Sequence, residues 1–396
     1  VRFSKDFLNI TAADFIARSA YQTGKTPLLP IFAAMLGASG AFLGFIVSVS
    51  TFTGLVLKPL FGMLSDRWGR RLWLLIGTAF FVVMPFLYRF IDTPQQLLIT
   101  RIIHGLATAI YGPVTLAYIA ELKPKNIAES VGWFGLARSG GYIAGPALAG
   151  WLLLWIEPAT VFTIIGFISA LALVPVWNLK DIEIQTQTRQ KHEPLLKQMR
   201  AAVLVASRTP GIWLSGTLEA VTFIALYTTK AFLPIFALEA GVNIVLVGLF
   251  FSIQEAAHIL VKPFGGKIAD RIGYLSSIIG GMTLLGIGLV LIPNFEGIGL
   301  LIPAVLTGVA QAFIFPSTIA LVSDQIQREN LGAGMGFIGT MQNLGKVVGP
   351  IMGGFLIQRL GFEPVLYLLA IFLLLGAGLL PVVVGKFYAN RLSLRT

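Results

Sequence analysis

Gly62-Met63-Leu64-Ser65-Asp66-Arg67-Trp68-Gly69-Arg70 is answered 204 residues later by Gly266-Lys267-Ile268-Ala269-Asp270-Arg271-Ile272-Gly273. The same offset carries Leu29-Pro30-Ile31-Phe32-Ala33 onto Leu233-Pro234-Ile235-Phe236-Ala237, and Lys58-Pro59 onto Lys262-Pro263. It also carries Gly145-Pro146 with Gly150 onto Gly349-Pro350 with Gly354. One offset sustained over most of the chain implies one fold built twice. In a hydrophobic protein, paired halves point to transport, with a binding site near the bilayer midplane between them.

Composition places the chain in a membrane. Of its 396 residues, 56% are hydrophobic and 12% charged, whereas soluble proteins carry about 25% charged residues. Apolar blocks such as 42–57, 72–90, 161–177, 275–292 and 365–384 approach the roughly 20 residues that a helix needs to cross a bilayer. The pattern predicts helices near 7–35, 41–63, 72–91, 95–121, 128–154 and 159–178, then near 209–238, 243–266, 274–293, 297–322, 331–358 and 363–387. The expected fold class is therefore an all-α membrane protein. Its 12 transmembrane helices form two pseudo-symmetric six-helix halves, 1–178 and 209–396, joined by a polar linker at 179–208. Within the linker, 194–199 reads as a short interfacial helix.

The formal charge of +11 follows from Lys and Arg gathering on one set of loops. Arg67, Arg70, Arg71, Lys123, Lys125, the linker, Lys267, Arg271, Arg328, Arg391 and Arg395 fall on one side; the other holds Asp92, Glu157, Glu239, Glu296 and Glu363, with Arg89 and Arg359 as its cations. The positive-inside rule then puts both termini and the linker in the cytoplasm of a cell (inner) membrane. No basic stretch is interleaved with aromatics as a nucleic-acid surface would be. The chain has no Cys, which excludes disulfides and thiolate metal sites. It shows no metal cluster, no Ser/His/Asp spacing and no phosphate-binding loop, so neither an enzyme nor an ATP-driven pump is expected, and no cofactor. The expected partners are a small-molecule substrate, protons and the lipid bilayer, with the protein acting as a monomer.

Three motifs carry more specific information. The run Gly62 to Arg71 lies in the turn after the second helix, with glycines suited to a tight reversal. In the fifth helix, Gly132 and Gly140-Gly141-Tyr142-Ile143-Ala144-Gly145-Pro146-Ala147-Leu148-Ala149-Gly150 combine small residues that let backbones approach with a proline that bends the helix. In the fourth, Arg101-Ile102-Ile103-His104-Gly105 has Val305 at the position equivalent to Arg101, so symmetry does not require that charge. Together these resemble the signatures of the major facilitator superfamily, in particular its 12-helix drug:proton antiporter group, and the resemblance covers the whole chain. It implies a conformational latch made of Gly62, Asp66, Arg67, Gly69, Arg70 and Glu121, echoed at Asp270 and Arg271. It also implies an antiporter-like motif at Gly141, Gly145, Pro146 and Gly150, in which Ala149 replaces the first of the usual two glycines. The same resemblance implies that helices 1, 4, 7 and 10 line a central cavity, that helix 5 packs on helix 8, and that helix 2 packs on helix 11.

Ionisable residues within a bilayer cost roughly 2.5–3.5 kcal/mol each on insertion scales, which makes each one a functional candidate. Proton coupling needs a buried carboxyl group that gains and loses its proton near a modulating cation. Glu219, Glu255 and Asp14 are the candidates, with His258 one turn beyond Glu255. Arg18, Arg101, Arg138 and Lys346 supply cations for the cavity or for coupling. The resemblance suggests the pairs Arg138–Glu255 and Lys346–Glu219, and helical spacing suggests Asp14–Arg18. Tyr21, Phe223, Tyr227, Phe250, Phe313 and Phe315 are candidate wall residues for a lipophilic molecule. The leading expectation is proton-coupled efflux of small lipophilic compounds by alternating access. Because cations outnumber acids, the alternative is a carrier of an anionic or zwitterionic amphiphile with the same fold.

Overall fold

The computed structural model describes residues 3–122, 127–181, 209–324 and 331–392. Lys123, Lys125, Arg328, Arg395 and the expected helix at 194–199 lie outside the described residues. The described part is helical: α1 (Lys5–Lys25), α2 (Leu28–Met35), α3 (Gly40–Trp68), α4 (Arg70–Leu87), α5 (Pro94–Leu122), α6 (Ile127–Leu152), α7 (Pro158–Ala170), α8 (Leu173–Trp177), α9 (Pro210–Glu239), α10 (Ile244–Ile272), α11 (Tyr274–Leu291), α12 (Leu301–Ser323), α13 (Leu331–Leu360) and α14 (Phe362–Leu392). Nine stretches of it are helices long and apolar enough to cross a membrane. Among the other long helices, α1, α6 and α13 have their hydropathy diluted by glycines or by the charged residues considered below.

The sequence repeat is visible in local geometry. Ser39 caps α3 by accepting from the Phe42 N–H, and its equivalent Asn243 caps α10 by accepting from the Val245 N–H. At the other end of each helix, a single glycine turns the chain into the next one: Gly69 at φ 90° and ψ 143°, Gly273 at φ 90° and ψ 144°. That backbone region is open essentially to glycine alone. The expected turn is therefore shorter than the motif suggested, and Asp66 lies on the last turn of α3 rather than in a loop. A second departure is the first predicted helix, which breaks into α1 and α2. Pro27 forces the preceding Thr26 into an extended conformation (φ −147°, ψ 123°), while the equivalent position, Ala231, lets α9 run unbroken.

Packing also repeats. α3 lies on α5 and α10 on α12, and α3 crosses to α13 as α6 crosses to α10. At the first crossing, Gly44 faces the Pro350 carbonyl so closely that no Cβ fits; at the second, Gly248 faces the Pro146 carbonyl in the same way. Ser48 Oγ donates to the Val347 carbonyl (2.8 Å), and Ser252 Oγ donates to the Ile143 carbonyl (2.6 Å). Each member of one contact maps onto a member of the other through the 204-residue offset, so the crossings are related by an internal pseudo-two-fold. These contacts lie toward the end carrying Ser39 and Asn243. Toward the opposite, Gly69 end, Gly132 and Gly135 of α6 and Gly336 and Gly339 of α13 have nothing within reach of a Cβ.

Gly44→Leu and Gly248→Leu force the same two backbones apart. Each should destabilise the protein by about 1–3 kcal/mol, the range for overpacking, and by similar amounts. Thermal unfolding in detergent checks this; an unchanged midpoint for either would contradict the shared close contact.

Candidate functional site

Asp14 is fully buried on α1. Arg138 on α6 clamps it, with Nε donating to Oδ2 (2.9 Å) and Nη2 to Oδ1 (2.8 Å). Arg18, one turn along α1, reaches Oδ1 at 3.4 Å. Arg138 Nη2 also lies 3.0 Å from Thr115 Oγ1 on α5, and the guanidinium covers the Phe134 ring at 4.5 Å. Two cations on one carboxylate, with paired parallel hydrogen bonds, make a strong and directional ion pair. The Asp14–Arg18 pair forms; the Arg138–Glu255 pair does not, because α6 turns Arg138 toward α1. Gly141 and Gly145 lie against Ser19 and Gln22 of α1, and Arg138, three residues before Gly141, shares that face.

Glu219, also fully buried, sits on α9. Its Oε1 lies 2.5 Å from Thr318 Oγ1 on α12, and its Oε2 accepts from Gln342 Nε2 on α13 at 3.4 Å. Gln342 is the offset equivalent of Arg138. The two carboxyl groups occupy similar but not identical places, Glu219 lying one residue beyond Leu218, the offset equivalent of Asp14; each is beside a threonine and a residue of the fifth helix of its repeat. One is locked by guanidinium groups, the other is held by neutral donors. The expected contact of Glu219 with Lys346 gives way to these bonds. Gly345 and Gly349 turn one face of α13 to Ala220 and Ile224 of α9, and Lys346, about 100° further round the helix, points to the Phe223 ring at 4.3 Å.

Glu255 on α10 lies 3.9 Å from Lys230 Nζ and 3.7 Å from His258 Nδ1. Lys25, Lys230 and Lys346 come within 5.4, 5.4 and 5.9 Å of the Tyr227 ring centre. Phe223 stacks on Phe315 (4.8 Å), and His258 meets the edge of Phe315 (5.5 Å). Phe250, Phe315 and Tyr21, expected wall residues, are instead buried in the core, Phe250 against Phe251.

Arg101 on α5 is 1% exposed and has no carboxylate partner among the described residues. It donates to Ser50 Oγ (2.5 Å), Tyr21 OH (3.3 Å) and Tyr88 OH (3.3 Å). His104 Nδ1 shares a hydrogen bond with Tyr88 OH (3.2 Å). A small cavity beside them is lined by Tyr21, Phe81, Arg101, His104, Phe162 and Ser169, among others.

At the Gly69 end, Arg70 gathers the first-repeat motif. It forms an ion pair with Asp66, donates to Glu121 Oε1 through Nη2 (2.8 Å) and Nε (3.2 Å), and reaches Ser65 Oγ (2.6 Å). Arg67 is exposed, and a Cβ on Gly62 would meet only Pro113, at 3.9 Å. The second copy differs. Tyr274 stands at the position of Arg70, and Asp270 and Arg271 are exposed, so this turn lacks the arginine that ties the first one together. In the α6 motif, Gly141 and Gly145 meet α1, while Gly150 and the Pro146 carbonyl meet α10.

Several residues in these clusters went unread in the sequence: Thr115, Thr318, Gln342, Ser50 and Tyr88. Uncharged hydroxyl and amide groups carry little penalty in a helix, so hydropathy does not single them out. The one usable signal was the offset between Gln342 and Arg138.

Residues 15–257 and 217–389 match the family model described as Major Facilitator Superfamily. The MFS-type transporter MJ1560 of Methanocaldococcus jannaschii is 25% identical over 350 residues, covering 87% of this chain and 90% of that protein. Multidrug resistance protein MdtG of a Rahnella species is 27% identical over 371 residues, covering 89% and 87%. Among solved structures, nucleoside transporter NupG superposes with a TM-score of 0.82 over 95% of this chain and 98% of its own, at 16% identity, a likeness of fold.

Asp14→Asn strands two guanidinium groups inside the protein. Removing one partner of a buried pair costs about 3–5 kcal/mol, so the thermal midpoint should fall sharply. Asp14→Asn combined with Arg138→Gln should cost less than the sum of the two single changes. Additive losses would show that the clamp is not an energetic unit.

Proposed function

The chain belongs to the Major Facilitator Superfamily, and on that premise we propose that it is a proton-coupled exporter of small lipophilic compounds. It works by alternating access between two halves, residues 1–178 and 209–396, joined by a cytoplasmic linker at 179–208. Both termini face the cytoplasm of the cell membrane, and the cavity opens toward the Gly69 end. Full-length similarity to a multidrug resistance protein supports export.

The observation that carries proton coupling is the partnership of Glu219 with Thr318. Thr318 Oγ1 has one proton and two acceptors in reach, Glu219 Oε1 at 2.5 Å and the Phe315 carbonyl at 3.0 Å. When Glu219 is ionised, the threonine donates to it. When Glu219 is protonated, the carboxyl donates to Thr318, and the threonine turns its own proton to Phe315. Both protonation states keep this bond satisfied, so the proton can come and go without stranding a buried polar group. Asp14 lacks that freedom, because its two guanidinium partners require an anion. Asp14 therefore holds α1, α5 and α6 together, while Glu219 exchanges the proton. Glu255, with Lys230 and His258, lies nearer the substrate, and the Asp66–Arg70–Glu121 set latches the first half as the Gly69 end opens and closes. Arg101 keeps a positive charge with no carboxylate partner among the described residues.

In proteoliposomes, Glu219→Gln should abolish transport driven by a pH gradient while leaving substrate exchange at equal pH intact. Gln342→Arg gives Glu219 the partner that Asp14 has, and should have the same effect. If either variant retains gradient-driven transport, Glu219 is not the coupling group.

A further inference from the structure

Three ammonium groups converge on one aromatic ring. Lys25 from α1, Lys230 from α9 and Lys346 from α13 surround Tyr227 at 5.4–5.9 Å. Of the three, only Lys230 has a carboxylate within ion-pair distance among the described residues, Glu255 at 3.9 Å. Lys25 and Lys346 have none. All three side chains are partly buried, and ring faces offset only a fraction of the desolvation of an ammonium ion. Placing unpaired lysines inside a membrane protein is costly, and an anionic ligand would remove that cost when bound.

The rest of the surroundings constrain that ligand further. The stacked rings of Phe223 and Phe315 (4.8 Å apart, 8° between planes) adjoin Lys346, whose ammonium sits 4.3 Å over Phe223. Apolar ring surface therefore adjoins the cationic group, with Phe223 half-buried and Phe315 buried behind it. Lysines come to the group from both repeats, so a bound anion would draw α1 toward α9 and α13.

We infer that this site takes an amphiphilic anion, a molecule with an aromatic or aliphatic body and a carboxylate, sulfonate or phosphate head. The head sits among Lys25, Lys230 and Lys346, and the body lies against Phe223, which Phe315 backs. This narrows the substrate class of the transporter proposed above and rests on that reading only for the step of transport; binding stands independently.

The test uses three fluorescent probes with one body and different heads: pyrenebutyrate, pyrenebutanol and pyrenebutylamine. Binding to the purified protein in an uncharged detergent is measured for the native chain and for Lys25→Gln, Lys346→Gln and Lys346→Arg. Pyrenebutyrate should bind most tightly, and each Gln variant should weaken it about tenfold or more, the loss of one charged hydrogen bond. Lys346→Arg, which keeps the charge, should retain most of the affinity and so guards against a variant that merely misfolds. Tighter binding of the amine, or pyrenebutyrate binding unchanged in both Gln variants, would overturn the inference. Proton-driven transport of pyrenebutylamine with no binding of pyrenebutyrate would leave the transporter reading standing and sink this one. Lysine-dependent binding of pyrenebutyrate without proton-driven transport would do the reverse.

Discussion

A charged side chain inside a bilayer must find a partner, and this constraint organises the interior of the molecule. The buried ionisable groups meet it to different degrees. Asp14 is held by two guanidinium groups, Arg101 is ringed by hydroxyls, and Lys346 lies over an aromatic face. Glu219 is the exception with most consequence, since its hydrogen bonds come from an alcohol and an amide. An ion pair fixes a protonation state; neutral partners leave it free to change. In the proposed cycle, the difference between a structural carboxylate and an exchanging one lies at two pairs of equivalent positions, Arg138 against Gln342 and Arg18 against Thr222.

The pseudo-two-fold explains how such asymmetry is tolerated. The crossings at Gly44–Pro350 and Gly248–Pro146 are copies of one contact, and they hold the bundle together at one end. Away from them the repeats are free to differ, and they do so at Pro27 against Ala231, Arg70 against Tyr274, and Arg101 against Val305. Each of these differences adds a break, an ion-pair cluster or a charge to the first repeat alone. The repeats match where backbones touch and differ in a helix break and in their charged residues.

Much of this is legible in the sequence. Long apolar blocks and the 204-residue offset establish the helices and their pairing as repeats, because bilayer thickness sets span length and repetition sets topology. Buried charges were legible for the same reason, since their cost makes them stand out. Their partners were not. Arg138 and Glu255 lie on helices that do pack together, yet helical phase turns Arg138 toward α1. The phase was present in the glycines: Gly141 and Gly145 mark the face of α6 that meets α1, and Gly345 marks the face of α13 that brings Gln342 to Glu219. Membership of a helix pair sets which residues are near; the small-residue face sets which of them touch. The break at Pro27 was missed because the hydrophobic pattern continues across it.

In the proposed cycle, protonation of Glu219 biases the opening of the Gly69 end. The absence of Cys from the chain allows two spin labels to be placed cleanly, at Ile127→Cys on α6 and Ile272→Cys on α10, both exposed. Dipolar distances between them, recorded at acidic and alkaline pH, report that opening directly. Proton-coupled alternating access predicts two distance populations whose ratio shifts with pH in the native chain and stays fixed in Glu219→Gln. A single distance that ignores pH, or a pH shift that survives in Glu219→Gln, would contradict it.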